Sequence, residues 1–434
     1  CHGLMDLTIP DSVKSIGNEA FAYCGNLAKV KIGNSVTNIG EKAFSNCSSL
    51  ESIVIPDSVT AFDTSAFAGC ASLTSVTIGN GVERIERRAF EGLHNLTSVT
   101  VGNGVTHIEE KAFNSCGNLV SLKLGNSVTV IGDEVFDGCD GLTSVNFPDS
   151  LTTIGDGAFR SCKGLTVVKI PDSVISIGNG AFDGRDGLTS LKIGKSVSVI
   201  GAAAFRDCEG LTVVEIPGSV ESIGGGDIRG AFMHCGLTRV SIGKGVKTIA
   251  PYAFWQCYSL EDVAIPDSVT SIGEKAFSQC GLKNVTIGKG VKIIGEEAFD
   301  SCKLTNVTIP DNVERIEEGA FRYCAAMTSV TIGNGVTRIG NMAFGYCNNL
   351  TSVKFGKSVS IIGEEAFYDC KNLESVMLPD SVESIGTKAF YDCSALRHVR
   401  ISEHVTGIGK DAFCGCSNLK DVKAPKRFLP LKTN

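Results

Sequence analysis

Thiols are the most numerous reactive side chains in this chain. Of its 18 cysteines, sixteen, running from Cys24 to Cys416, stand three residues after a phenylalanine; Cys1 keeps the same register and only Cys414 departs from it. Zinc would need four ligands, usually as closely spaced pairs, yet these cysteines come singly, with no second cysteine or histidine at fixed offset. Disulfides between stacked copies are geometrically open, but an in-register ladder gives each thiol two equivalent neighbours and defines no set of pairs. The leading reading is a ladder of buried free thiols acting as small hydrophobes. Leu93 takes the position in one copy and fits that reading; Arg185 takes it in another, fits poorly, and suggests a local opening. Cys414 and Cys416 in "FCGC" are the pair best placed to react or bridge.

Other catalytic chemistry finds no support. The six histidines (His2, His94, His107, His234, His398 and His404) occupy unrelated positions, so no nucleophile–histidine pair can be named. Carboxylates recur in nearly every copy, as in "GEEAF" and "IPDSV", which suits solvated turns more than one tuned acid–base pair. "GGGDIRG" lacks the G-K-[ST] ending of a phosphate loop. The aspartates of "PDS" alternate with Asn and Lys, which interrupts any calcium ladder. We therefore expect no enzyme, no cofactor and no bound metal.

The elements that position these residues repeat. Phe21, Phe44, Phe67, Phe90, Phe113, Phe136, Phe159, Phe182 and Phe205 lie 23 residues apart, and Phe232, Phe254, Phe277, Phe299, Phe321, Phe344, Phe367, Phe390 and Phe413 continue at steps of 22 or 23 after one step of 27. A period of this length means a solenoid whose coils bury apolar faces against one another. "LTSVTIP" alternates apolar and polar residues as a strand does. The following Pro or Gly marks a corner, and since proline serves there, glycine is not required for positive φ. "SVTSIG" forms a second extended side. "GEKAFSQC" is expected to form a short helical turn with Ala, Phe and Cys on one face.

This unit resembles the BspA-like leucine-rich repeats, whose signature is IPxxVxxIGxxAFxxCxxL, over about residues 5–425. The expected fold is a right-handed, leucine-rich-repeat-like parallel β-solenoid with short helical turns, about 18 coils of 22–23 residues, roughly 85 Å long at about 4.8 Å per coil. We expect one solenoid over residues 1–425, with a Gly-rich insertion at 224–230, and a C-terminal tail or cap at 426–434. Residue 1 falls inside a repeat, so the chain is expected to be a fragment or processed form. The resemblance implies a cell-surface or secreted protein that adheres to protein or glycan partners.

Composition agrees with that class. Acidic residues exceed basic ones, 47 to 40, which argues against a general affinity for nucleic acid, and no apolar run is long enough to span a bilayer. Two candidate partner-binding surfaces stand out. Lys123, Asn146, Lys169 and Lys192 occupy the middle outward position of successive long strands and form a basic row suited to an acidic partner; solubilising lysines are the alternative. Tyr323, Tyr346, Tyr368 and Tyr391 fall in four consecutive copies at the two positions between Phe and Cys, expected to face outward, and Trp255 holds a similar position near Tyr252 and Tyr258. Such aromatics serve recognition or stack on their neighbours.

Overall fold

The computed structural model describes residues 3–184, 187–225, 228–429 and 431. Cys1, Arg185, and Gly226 and Asp227 of the insertion, on which some expectations rested, lie outside the described residues. The chain divides into two compact units, Cys1–Leu211 and Thr212–Asn434. Each contains nine of the repeat phenylalanines, so coils 1–9 (Phe21 to Phe205) form the first unit and coils 10–18 (Phe232 to Phe413) the second.

Each unit is a parallel β-solenoid. A coil begins with a long strand, such as Ser75–Ile78 or Ser98–Val101 in the first unit. Identical positions pair across coils, Ser75 with Ser98, Val76 with Val99, Thr77 with Thr100 and Ile78 with Val101. The alternation drives Val76 and Val99 into the core and leaves the threonines at the surface. In the second unit Ser329, Val330 and Thr331 pair with Ser352, Val353 and Lys354 in the same way. A corner follows. At Gly79 a Cβ would sit 2.5 Å from the Pro56 carbonyl carbon, so at this corner the backbones approach too closely for a side chain. A two-residue strand, such as Arg84–Ile85 or His107–Ile108, forms the second side.

The third side corrects the expected helical turns. The described residues contain no α-helix, and their one 3-10 helix is Lys426–Phe428. In "GNEAFAYC" the N–H groups of Glu19, Phe21 and Tyr23 leave their own coil and donate to the carbonyls of Glu41, Ala43 and Ser45 in the next, while Ala20, Ala22 and Cys24 close turns three residues back. Residues two before and two after the phenylalanine adopt left-handed backbone, Glu19 at φ 55° and Tyr23 at 58°, and most coils repeat this. A helix needs an unbroken right-handed run with bonds to the residue four back. Here alternate donors are committed to the neighbouring coil, and the sideways bonds hold the unfavourable φ values.

Behind this side the phenylalanines stack ring on ring, at 5.2–5.7 Å between centroids in the first unit. In the second unit the spacing is 5.2–5.6 Å. Burying each ring contributes on the order of 2–3 kcal/mol, which makes this ladder the main apolar spine of each unit. After the last coil, Arg427 of the tail donates to the Glu403 carbonyl at 2.9 Å, tying the 3-10 turn back onto coil 18.

Candidate functional site

The thiols prove to be structural, in a way the sequence reading missed. In most coils the buried Sγ donates to the carbonyl of the phenylalanine one coil earlier: Cys47 to Phe21 at 3.2 Å, Cys370 to Phe344 at 3.3 Å, Cys416 to Phe390 at 3.2 Å. Cysteine is thus a core-sized side chain that also donates a hydrogen bond. One sign was available: across the coils the position accepts Leu93 once but never the Val or Ile common elsewhere in the core. Burial pushes the thiols of Cys116 and Cys347 up to about 12 and so suppresses the reactive thiolate. All cysteines from Cys24 to Cys416 are free, including the Cys414–Cys416 pair, and Cys414 alone among them is only half-buried.

The tyrosines form a continuous ladder on the turn side of the second unit. Tyr323 and Tyr346 stack at 4.7 Å and 15°, and Tyr368 and Tyr391 at 5.2 Å and 3°. Between the pairs, Tyr346 and Tyr368 lie 5.2 Å apart but tilted by 51°. The tilt falls where the ladder changes position, since Tyr323 and Tyr346 stand two residues after the phenylalanine, with left-handed φ of 58° and 61°, whereas Tyr368 and Tyr391 stand one after. The outward expectation is corrected in part: Tyr323 is exposed, but Tyr346, Tyr368 and Tyr391 are half-buried by one another. Partial burial, then neighbouring tyrosines and carboxylates, raise the hydroxyls of Tyr346 and Tyr368 above their ordinary value. They therefore remain neutral donors at physiological pH. Cations frame the ladder, with the Arg322 guanidinium 5.3 Å from the Tyr323 ring centre and Lys388 Nζ 5.8 Å from that of Tyr391. A rigid aromatic strip rimmed by hydroxyls and cations suits recognition of a polar, partly apolar surface.

Trp255 is not part of this ladder. It packs on His234 at 5.0 Å and edge-on to Tyr252 at 6.0 Å, and it is half-buried. Tyr252 in turn donates its hydroxyl to Glu274 at 2.7 Å. Nearby Tyr258 is well exposed.

Lys123, Asn146, Lys169 and Lys192 all reach the surface of the first unit's strand side. Lys169 stands directly beside Lys192 in the parallel register. Asn146 interrupts the row, because residues 145–147 join no strand and on the long-strand side only a single bridge, Ser144 to Val167, ties that coil to a neighbour. The lysine row and the tyrosine ladder therefore occupy different sides of the coil, in different units.

A third feature escaped the sequence reading. The position just after the repeat phenylalanine, assigned to the outside, carries a charge ladder in the first unit. Arg160 bonds Asp137 at 2.6 Å, and Arg206 grips Asp183 with two bonds of 2.7 and 3.1 Å. Asp183 is nearly inaccessible, as is Asp300, which Arg322 holds at 2.9 Å in the second unit. Burial raises both carboxyls above their ordinary value even though a guanidinium opposes it. Reading this position down the stack instead of along the chain would have exposed the order Asp137, Arg160, Asp183, Arg206.

These features place the chain among known proteins. A family profile described as BspA type leucine rich repeat region (6 copies) matches residues 1–120, 106–226, 228–351 and 315–434. The crystal structure of a leucine-rich repeat protein from Bacteroides ovatus is 30% identical with a TM-score of 0.60, covering 92% of this chain and 86% of that one. One from Eubacterium ventriosum is 26% identical with a TM-score of 0.43, covering 66% and 85%. A leucine rich cell surface protein from Faecalibacterium prausnitzii is 24% identical with a TM-score of 0.34, covering 99% and 91%. Among curated proteins nothing matches. No helix among the described residues is long and apolar enough to cross a membrane. With its repeats, fold and profile match in agreement, the chain belongs to the BspA-type leucine-rich repeat family.

Proposed function

We propose that this chain is a non-enzymatic recognition and adhesion array that binds protein or glycan partners over its repeated surfaces, at the cell surface or after secretion. The observation that carries this reading is the tyrosine ladder, four rings in consecutive coils held rigid by stacking, edged by hydroxyls and flanked by Arg322 and Lys388. Rigid aromatic groups lose little conformational freedom on binding, which is why they dominate interface hot spots. The lysine row of the first unit is the second partner surface in this reading. Many weak contacts over repeated coils, multiplied by several copies on one surface, supply strength through avidity.

The test is binding of the purified chain to immobilised matrix proteins and a glycan panel, with Tyr346→Ser/Tyr368→Ser and Lys169→Glu/Lys192→Glu as paired variants. Loss of a partner by either variant supports the reading. Unchanged binding by both, or no partner in the panel, overturns this assignment of surfaces. Protease shaving of intact cells addresses location, since a surface protein is cleaved without lysis. A second reading, a structural spacer, draws on the mutual burial of Tyr346, Tyr368 and Tyr391, which gives stacking a purpose without a ligand. A spacer tolerates deletion of one whole internal coil without loss of its cellular role, whereas a recognition ladder does not.

A further inference from the structure

Coil 7 of the first unit departs from its neighbours where the lysine row crosses it. Strands from Asp6–Thr8 to Ser121–Lys123 form one six-stranded ladder, and Val167–Lys169 pairs with Ser190–Lys192; coil 7, between them, contributes no long strand. Its segment reads "LTSVNFP" where the consensus reads "LTSVTIP". Asn146 is a poor strand former, and Phe147 puts a ring where isoleucine normally packs. That ring meets Phe159 edge-on at 5.5 Å and stays half-buried. In the second unit Phe355 makes the same replacement before a glycine; its strand, Ser352–Lys354, survives but pairs with the next coil at Ser352 alone. Single-pair registers also occur without phenylalanine, at Lys29–Ser52 and Arg239–Asp262, so what sets coil 7 apart is Asn146 in mid-strand together with Phe147.

Over this coil lies an open hollow of about 570 Å³, lined by Asn146, Phe147, Val167, Lys169, Ile170 and Lys192. Val167 is an exposed apolar side chain in its wall. Lys169 and Lys192 lie side by side, an arrangement of like charges that is unfavourable by itself. Among the described residues no ion pair reaches Lys123, Lys169 or Lys192. Two carboxylates share the hollow's rim. Asp172 is engaged, accepting the Lys195 N–H at 2.9 Å with Lys195 Nζ 4.0 Å away. Asp149 stands at the corner of coil 7 itself.

We propose that this hollow is the docking site for an extended acidic peptide segment of a partner protein. Its carboxylates neutralise Lys169 and Lys192, its apolar side chains cover Val167, and its backbone bonds to the peptide groups of residues 145–147, which no strand claims. A peptide fits better than nucleic acid, because the chain as a whole carries a net charge of −7 and would repel a polyanion beyond this patch. The inference rests on the lysine row being a partner surface, and adds which partner and where it lies.

Fluorescence anisotropy of a labelled peptide alternating Glu and Val, titrated with the full chain at low and high salt, tests it. Binding is expected to weaken with salt, to fall by about tenfold in Lys169→Glu/Lys192→Glu, and to be unaffected by Tyr346→Ser/Tyr368→Ser. The decisive variant is Asn146→Thr/Phe147→Ile, which restores the consensus strand; it is expected to return the peptide groups of residues 145–147 to the ladder and lose about tenfold while melting no lower than the parent. If that variant binds as the parent does, the hollow is wrong but the lysine row stands. No binding by the parent, or equal binding by the lysine variant, overturns the whole proposal. Tight binding of polyuridylate or heparin with none of the peptide overturns the choice of partner.

Discussion

The turn side of the molecule solves one problem in two ways. In the first unit the position after the repeat phenylalanine carries Asp137, Arg160, Asp183 and Arg206, which alternate in sign and satisfy one another. In the second unit, coils 14 to 17 carry tyrosines at this position or its neighbour, and these stack while leaving hydroxyls and edges at the surface. Each charge in the first ladder has a partner in the stack, so little remains to offer another molecule. The aromatic ladder gains less from its internal contacts and keeps exposed chemistry. A stacked position can thus be closed for stability or left open for recognition, and the side chain alone decides which.

Breaking each ladder measures the difference. Arg206→Ala leaves the Asp183 carboxylate buried without its main partner and is expected to cost about 3 kcal/mol, against about 1 kcal/mol for Tyr368→Ala, which removes one half-buried ring contact. Urea unfolding reads both, and equal losses would erase the contrast. Asp183→Asn combined with Arg206→Met should recover most of the larger loss, because the desolvated charge is then gone.

The thiol ladder, common to both units, sharpens the comparison at a smaller scale. If Cys370 is needed as a donor to the Phe344 carbonyl, Cys370→Ser should cost about 1 kcal/mol and less than Cys370→Val, which keeps apolar bulk but cannot donate. The opposite order of thermal midpoints would return these cysteines to the role of plain hydrophobes.

Acid gives the smallest effect and separates Asp183 from Glu274 by sign. Asp183 has its carboxyl raised by burial, so the folded state holds that proton more tightly than the unfolded chain, and falling pH adds stability there. Glu274 is shifted the other way, chiefly by the hydrogen bond from Tyr252; its contribution is present above its ordinary value of 4.5 and is lost as pH falls through the lower folded value. Glu274→Gln should therefore flatten part of the loss of stability below pH 4.5, whereas Asp183→Asn should remove a gain on acidification and so steepen the loss. A midpoint-against-pH series for the two variants checks the signs.

Much of this was legible in sequence because a coil repeats its reasons. The spacing of Phe21 to Phe205 gave the coil, the alternation in "LTSVTI" gave the inward valines, and proline at the corners ruled out a need for positive φ. The turn side was misread for a physical reason. Left-handed backbone normally advertises itself through glycine or asparagine, but Glu19, Tyr23 and Lys42 hold it here because bonds to the next coil outweigh the strain, and such bonds leave no mark within one coil. The charge ladder was hidden likewise, since Asp183 and Arg206 are neighbours only down the stack. Of the candidate surface residues, the four tyrosines were found as a group, though the mutual burial that makes them a rigid strip was not. Trp255 was grouped with them by position and proves to pack on His234 instead. The break at Asn146 was written as one polar letter in a strand.

The sideways bonds of the turn side carry one more consequence. On the long-strand side, donors alternate in direction, as when Ile9 donates forward to Lys31 and Ala28 backward to Met5, so the peptide dipoles largely cancel. On the turn side they do not: Glu19, Phe21 and Tyr23 all donate forward, as do Met342, Phe344 and Tyr346 in the second unit. Those dipoles add along this side alone, positive toward the later coils, the reverse of the sense in an α-helix, while Thr37 and Gly40 on the short-strand side donate backward and oppose them. The coils look alike, but their turn side has an electrical direction.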